Sequence, residues 1–88
     1  MRTYELTPLD GRKSFYKKCS VIENGKTARL YSYDTLVAEF RFITREMKVH
    51  GWYSATTARH INAFLVHFGY ARATKKQMEN WNSDSVVQ

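Results

Sequence analysis

Gly51-Trp52-Tyr53-Ser54-Ala55-Thr56-Thr57-Ala58-Arg59-His60-Ile61-Asn62-Ala63-Phe64-Leu65 reads as the junction where a β-sheet ends and a helix begins. Ser54 stands at the N-cap position, and Thr57 follows three residues later, where an N-cap side chain satisfies a backbone N–H. Ala58, Ile61, Phe64, Leu65 and Phe68 recur at three- and four-residue spacing. That spacing predicts a helix from about Ala55 to Phe68 with one apolar stripe. Gly69 stops it as a C′ residue. Trp52 and Tyr53, just before the cap, fit a hydrophobic staple or the edge of the core. Arg59, His60 and Asn62 fall in the first turns, on faces that the core need not consume.

Upstream of this junction the period is that of strands. Thr35 to Ile43 alternates Leu36, Ala38, Phe40 and Phe42 with Val37, Glu39, Arg41 and Ile43. Thr44-Arg45 leads to a short strand from Glu46 to His50, with Met47 and Val49 inward. Asn24-Gly25 is a hairpin signal, because both residues tolerate positive φ. It joins a strand candidate at Ser14–Glu23 to a strand from about Lys26 to Tyr33. Ala28, Leu30 and Ser32 face inward there, and Arg29, Tyr31 and Tyr33 face out. In the Ser14–Glu23 segment Phe15, Cys19 and Val21 share one face, and Tyr16, Lys18 and Ile22 the other. Lys17 interrupts the apolar face, which suggests a bulge or an edge position. Residues 1–12, with Pro8 and Asp10-Gly11, read as a turn-rich lead-in.

Downstream, Thr74 caps a second short helix from Lys75 to Trp81, with Met78 and Trp81 on one side. Residues 83–88 read as a frayed tail. The expectation is therefore an α+β fold: a three- to four-stranded antiparallel β-meander packed against one main helix, plus a short C-terminal helix. Residues 1–88 form a single small domain with its core at about 13–70 and no internal repeat or linker.

Composition narrows the function classes. Eighty-eight residues allow one core and leave no room for a deep catalytic cleft with a lid. At 43% hydrophobic residues the chain can bury enough surface to fold. One cysteine, Cys19, excludes an internal disulfide framework and fits a reducing compartment. No apolar run approaches a membrane span and no signal-peptide core follows the polar start, so a soluble cytoplasmic protein is expected. The net charge of +6 favours polyanionic partners such as DNA, RNA or an acidic protein surface. A solubilising excess of lysine and arginine would look the same.

The residues do not assemble a catalytic pattern. Ser54 and His60 lie six positions apart, on different helix faces, and Cys19 reads as a small core residue. The carboxylates look like turn or surface residues, with none paired for acid–base work. His60 and His67, two helical turns apart, cannot close on one metal ion without a third element, and solvated histidines are the simpler reading. The four glycines are scattered among turns, so there is no phosphate-binding glycine loop. No enzymatic activity, metal or cofactor is expected.

Binding has better support. The strand register gathers Lys18, Arg29, Arg41 and Lys48 with Tyr16, Tyr31 and Tyr33 on the face opposite the core. Basic groups neutralise phosphates, and tyrosines stack on exposed bases or hydrogen-bond to phosphate oxygens. An uncovered antiparallel face must be polar in any case, and Glu39 and Glu46 dilute the patch. At the helix start Arg59, His60 and Asn62 make a surface suited to a phosphate or a partner's carboxylate.

Two segments carry a resemblance. Leu30-Tyr31-Ser32-Tyr33-Asp34-Thr35-Leu36-Val37-Ala38-Glu39, followed by Gly51 to Leu65 with its Tyr-Ser, paired Thr, Arg-His and Asn, resembles a family of short uncharacterised proteins. Its members occur in phages, prophages and plasmids, chiefly of bacteria and archaea. The resemblance covers roughly residues 13–70 and implies a small accessory protein of a mobile element, acting in the host cytoplasm. It brings no assigned activity. The expected function is nucleic-acid binding without catalysis. The alternative is a protein-binding module that modulates or inhibits a host or defence enzyme, and edge strands with surplus aromatics would also permit a homodimer.

Overall fold

The computed structural model describes residues 1–82, 86 and 87. In chain order the elements are β1 (Arg2–Glu5), β2 (Cys19–Glu23), β3 (Thr27–Ser32), β4 (Thr35–Arg41), β5 (Glu46–Val49), α1 (Ala55–His67), α2 (Lys75–Glu79) and β6 (Val86–Val87). The strands pair in sequence order into one six-stranded antiparallel sheet. The fold is α+β, as the periodicities predict, with six strands where three to four are expected.

Both additions lie at the ends. β1 occupies the supposed lead-in, with Arg2 opposite Glu23 and Tyr4 opposite Val21. β6 lies in the supposed frayed tail, with Val86 opposite Lys48 and Val87 opposite Met47. The rest of that tail, 83–85 and 88, is outside the described residues.

Hairpins are closed by short-range chemistry. Asn24 Oδ1 accepts from the Lys26 and Thr27 amides and from the Thr27 hydroxyl, holding the turn before β3. β2 begins at Cys19, later than the alternation predicts. Tyr16 and Lys17 take left-handed φ values of +54° and +64°, so residues 14–18 form a turn and Phe15 enters the core from a loop. Lys17 is thereby removed from the sheet, and no bulge is needed there.

The bulge falls in β4 instead. Leu30 faces Ala38 while Tyr31 faces Leu36, which makes Val37 the extra residue. Val37 and Ala38 are consequently both buried, and Leu36 moves to the outward row. Strict alternation would have placed Leu36 inward and Val37 outward.

The inner face of the sheet meets α1. Val21, Leu30, Phe40 and Met47 join Ile61, Phe64 and Leu65 in one buried cluster, which also takes in Met78 of α2. Ser54 Oγ accepts from the Thr57 amide at 3.1 Å and starts α1. Tyr70 N–H reaches Leu65 O at 2.8 Å and Gly69 takes φ +87°, ending it at the expected place. α2 is shorter than its periodicity suggests. A reciprocal box between Thr74 and Gln77 starts it, and the chain leaves the helix at Asn80.

Gly51 is required where it stands. Its φ is +129°, and a β-carbon there would sit 3.0 Å from the backbone oxygen of Trp81. Gly51→Ala is expected to lower unfolding free energy by about 2 kcal/mol, read from urea midpoints. An unchanged midpoint would show that the 80–82 segment yields freely.

Candidate functional site

The positions singled out by sequence fall into two groups. Arg29, Tyr31, Arg41 and Lys48 lie on the outward face of the sheet. Registers place Ile22, Arg29, Glu39, Lys48 and Val86 in one transverse row, and Ser20, Tyr31 and Leu36 in the next. Carboxylates interleave the cations. Arg29 Nε lies 3.6 Å from Glu39 Oε2, Lys48 stands opposite Glu39, and Arg41 stands opposite Glu46. Each exposed pair of this kind contributes on the order of 0.2–1 kcal/mol. The result is a mixed face with a modest positive excess.

Tyr16, Lys18 and Tyr33 are elsewhere. The Tyr33 amide donates to Lys18 O at 2.7 Å, stitching the β3–β4 turn to the 14–18 loop. That stitch gathers Tyr16, Lys18, Tyr33, Arg59 and His60 at the start of α1, together with Arg12, Ser14 and Thr56. They surround a cavity of about 190 Å³. Tyr16 and Tyr33 are 73% and 53% exposed, and both have left-handed backbones, with Tyr33 at φ +57°. A bulky side chain in that region costs about 1 kcal/mol or more, and such residues concentrate at binding sites.

Arg59 is tethered as well as accessible. Its Nη2 donates to Asp10 Oδ2 at 2.7 Å, and Arg12 Nε lies 3.5 Å from the same oxygen. Desolvation pulls the Asp10 carboxyl up, but the Arg12 amide, the Arg59 and Arg12 charges and the Arg59 hydrogen bond together outweigh it and hold the group below its ordinary value. One carboxylate thus fixes two guanidinium groups at the cavity rim.

His60 departs from the solvated reading. It is 1% exposed, its Nδ1 lies 2.8 Å from Ser32 Oγ, and Ser32 Oγ lies 2.9 Å from Thr57 Oγ1. Phe15 packs against the ring edge-on at 4.6 Å. Burial, followed by the charges of Arg59 and Lys18, lowers the imidazole pKa to about 4. The ring is therefore neutral at physiological pH.

Asn62 is a strut. Its Oδ1 accepts from the Ala73 amide at 2.7 Å and its Nδ2 donates to Ala73 O at 3.1 Å, pinning the chain between the helices against α1. The expectation that the core leaves these first-turn residues free thus holds for Arg59 alone. His60 is consumed by a buried polar trio and Asn62 by a backbone clamp.

Sequence reasoning passed over Arg12, Thr56 and Ser32. Ser32 carried a signal, as a lone hydroxyl on the inward face of a strand, where a buried polar group needs a partner. Arg12 carried none, because its position depends on Asp10 and on a helix far along the chain.

The Ser32–His60 contact does not make a nucleophile. Ser32 is 2% exposed, and the imidazole has no carboxylate partner among the described residues. Burial, and then the nearby Glu5 charge, pushes the Cys19 thiol up to about 12, which keeps it protonated. Among the described residues no group of three or more His, Cys, Asp or Glu side chains is placed to hold a metal ion. What the corner does offer is hydrogen-bond donors and positive charge beside two open aromatic rings.

No helix among the described residues is long and apolar enough to cross a membrane. No curated protein and no solved structure matches the chain. A family model does match, over residues 4–80, extending past the 13–70 region on both sides to take in α2 and the end of β1. The chain belongs to DUF8033, a family of unknown function.

Proposed function

We propose that this member of DUF8033 is a small non-enzymatic accessory protein of a phage or other mobile element that binds nucleic acid in the host cytoplasm. The observation that carries the reading is the α1 corner, where Arg12, Lys18 and Arg59 converge with the exposed rings of Tyr16 and Tyr33. Cations for phosphates beside rings for bases are the two components of single-strand recognition. The net charge of +6 supplies long-range attraction, and Arg29, Arg41 and Lys48 offer further backbone contacts along the sheet. The mobile-element context rests on the resemblance of the Leu30–Glu39 and Gly51–Leu65 motifs.

Mobility shifts with duplex and single-stranded nucleic acid across a salt series test this. Affinity must fall steeply as salt rises, with a logarithmic slope of roughly 0.7 to 0.9 per phosphate neutralised. Arg29→Ala combined with Arg41→Ala should leave the fold intact and reduce the slope by about 1.4 to 1.8 if both residues reach phosphates. An unchanged slope assigns the binding to the corner alone. No binding at low salt removes the reading.

The interleaving of Glu39 and Glu46 with Arg29, Lys48 and Arg41 favours a second reading, a module that docks on a host or defence protein. A face of alternating charge suits a partner of complementary pattern better than a uniformly negative backbone.

A further inference from the structure

The buried trio at the corner fixes what His60 presents to the cavity. Ser32 Oγ touches both His60 Nδ1 and Thr57 Oγ1. Each hydroxyl has one hydrogen to donate. Were Nδ1 protonated, it would donate to Ser32 and Ser32 to Thr57. The Thr57 hydroxyl hydrogen, on a residue only 5% exposed, would then have no acceptor among the described residues. The reverse order leaves no hydroxyl hydrogen unsatisfied: Thr57 donates to Ser32, Ser32 donates to Nδ1, and the imidazole proton sits on Nε2.

That Nε2–H has no partner among the described residues. Yet among the described residues no wholly buried side-chain nitrogen or oxygen lacks a hydrogen bond. The Nε2 edge therefore opens into the cavity that His60 lines. It is a donor on a ring otherwise sealed in the interior, at the wall of that cavity.

The other groups around the cavity have the same polarity. Thr56 lines it, and the Ala55 and Thr56 amides at the start of α1 donate to no partner among the described residues, with no acidic residue in the first turn. Arg12, Lys18 and Arg59 bring positive charge. The acceptors are occupied: Ser14 Oγ takes the Tyr16 amide, and Asp10 is shared by the two arginines.

We propose that this cavity is a phosphate site in which His60 Nε2–H is a direct, uncharged donor, and that Tyr16 and Tyr33 stack the nucleotide bases flanking that phosphate. This deepens the nucleic-acid reading and rests on it. A tetrahedral phosphate offers acceptor oxygens in several directions, which suits donors converging from a helix start, a loop and a buried ring. A neutral donor adds a contact without the cost of burying another charge.

The test follows the His60 imidazole of the full chain by nitrogen–proton NMR. The probes are inorganic phosphate and a short oligothymidylate with and without a 5′-phosphate. The free protein should show the Nε2-protonated tautomer. Each probe should shift that resonance saturably, and a larger response to the 5′-phosphorylated strand would mark a terminal phosphate as the ligand, against an internal diester. Arg12→Gln with Lys18→Gln, both surface changes, should weaken the response about tenfold or more. Tyr16→Ala should weaken the oligonucleotides by about fivefold or more and leave inorganic phosphate unchanged.

An Nδ1-protonated tautomer, or no saturable shift with inorganic phosphate up to about 10 mM, overturns the site, since a Kd of about 1 mM would leave it mostly filled. If oligonucleotides still give salt-dependent mobility shifts in that case, the nucleic-acid reading stands without this pocket. If they do not, both fall. Phosphate binding with no gain from attached nucleotides overturns the stacking role of the tyrosines.

Discussion

His60→Ala is expected to lower unfolding free energy by about 3–5 kcal/mol at neutral pH. The change removes a ring packed edge-on against Phe15 and leaves a cavity at its place. It also deprives the buried Ser32 hydroxyl of its acceptor, a loss worth about 1–3 kcal/mol. His60→Gln keeps a neutral polar side chain and should cost less, which makes it the better probe of pH. In the folded protein the imidazole titrates at about 4, below its ordinary 6.5. Between those values the unfolded chain binds a proton that the folded chain does not. The stabilising contribution is therefore fully present above pH 6.5 and is lost as pH falls toward 4. Opening of the ring edge to solvent screens the effect, leaving roughly 2 kcal/mol over that window. Urea midpoints at pH 7 and pH 4.5 should separate strongly for the natural protein and much less for His60→Gln. Parallel behaviour of the two proteins would show that His60 takes up its proton without unfolding.

The difference between what sequence revealed and what it concealed follows from range. Asn24-Gly25, Ser54 and Gly69 act on their own neighbours, and each ends or starts an element where its chemistry predicts. The inward placement of Ala28, Leu30, Met47 and Val49 follows from a period that only local backbone geometry imposes. β1 was illegible because one apolar residue in Arg2–Glu5 shows no period, and β6 because two residues cannot show one. Both exist by pairing with a neighbouring strand. The β4 bulge is equally silent in sequence, since Leu36 and Val37 are both acceptable inward residues and the register decides between them.

The corner is legible residue by residue and illegible as an assembly. Tyr16, Lys18, Tyr33, Arg59 and His60 were all chosen from sequence, but for two separate surfaces. They meet because Lys18 O holds the Tyr33 amide and because Asp10 reaches Arg59 across 49 positions of the chain. His60 misled for a physical reason. It lies three residues after Thr57 and four before Phe64, on the edge of the apolar stripe, where a polar ring is admitted to the interior only if another buried group satisfies it. Ser32 does so from a different strand.

Phe40→Ala should be the most damaging single change at the far end of the helix. Phe40 is 3% exposed, stacks on Phe68 at 4.5 Å and meets Phe42 edge-on at 5.6 Å. Phe68 in turn packs on Phe64 at 5.0 Å, so Phe40 is the sheet's contribution to the contact that docks the end of α1. Truncation should cost about 3–5 kcal/mol. A domain of 88 residues has about 4–13 kcal/mol in total, so this variant is expected to lose most of its cooperative unfolding. Phe40→Leu keeps part of the volume and should cost about 1–2 kcal/mol, a fall in Tm of roughly 5–15 °C. The eight residue steps from His60 to Phe68, the C-cap of α1, span about 12 Å, which separates this cluster from the corner cavity. Phe40→Leu should therefore melt earlier and bind nucleic acid with unchanged affinity, whereas Lys18→Gln should bind less tightly and melt unchanged. If affinity fell with Tm in Phe40→Leu, the corner would depend on docking of the whole helix, and its binding geometry would not be set by the Tyr33–Lys18 stitch alone.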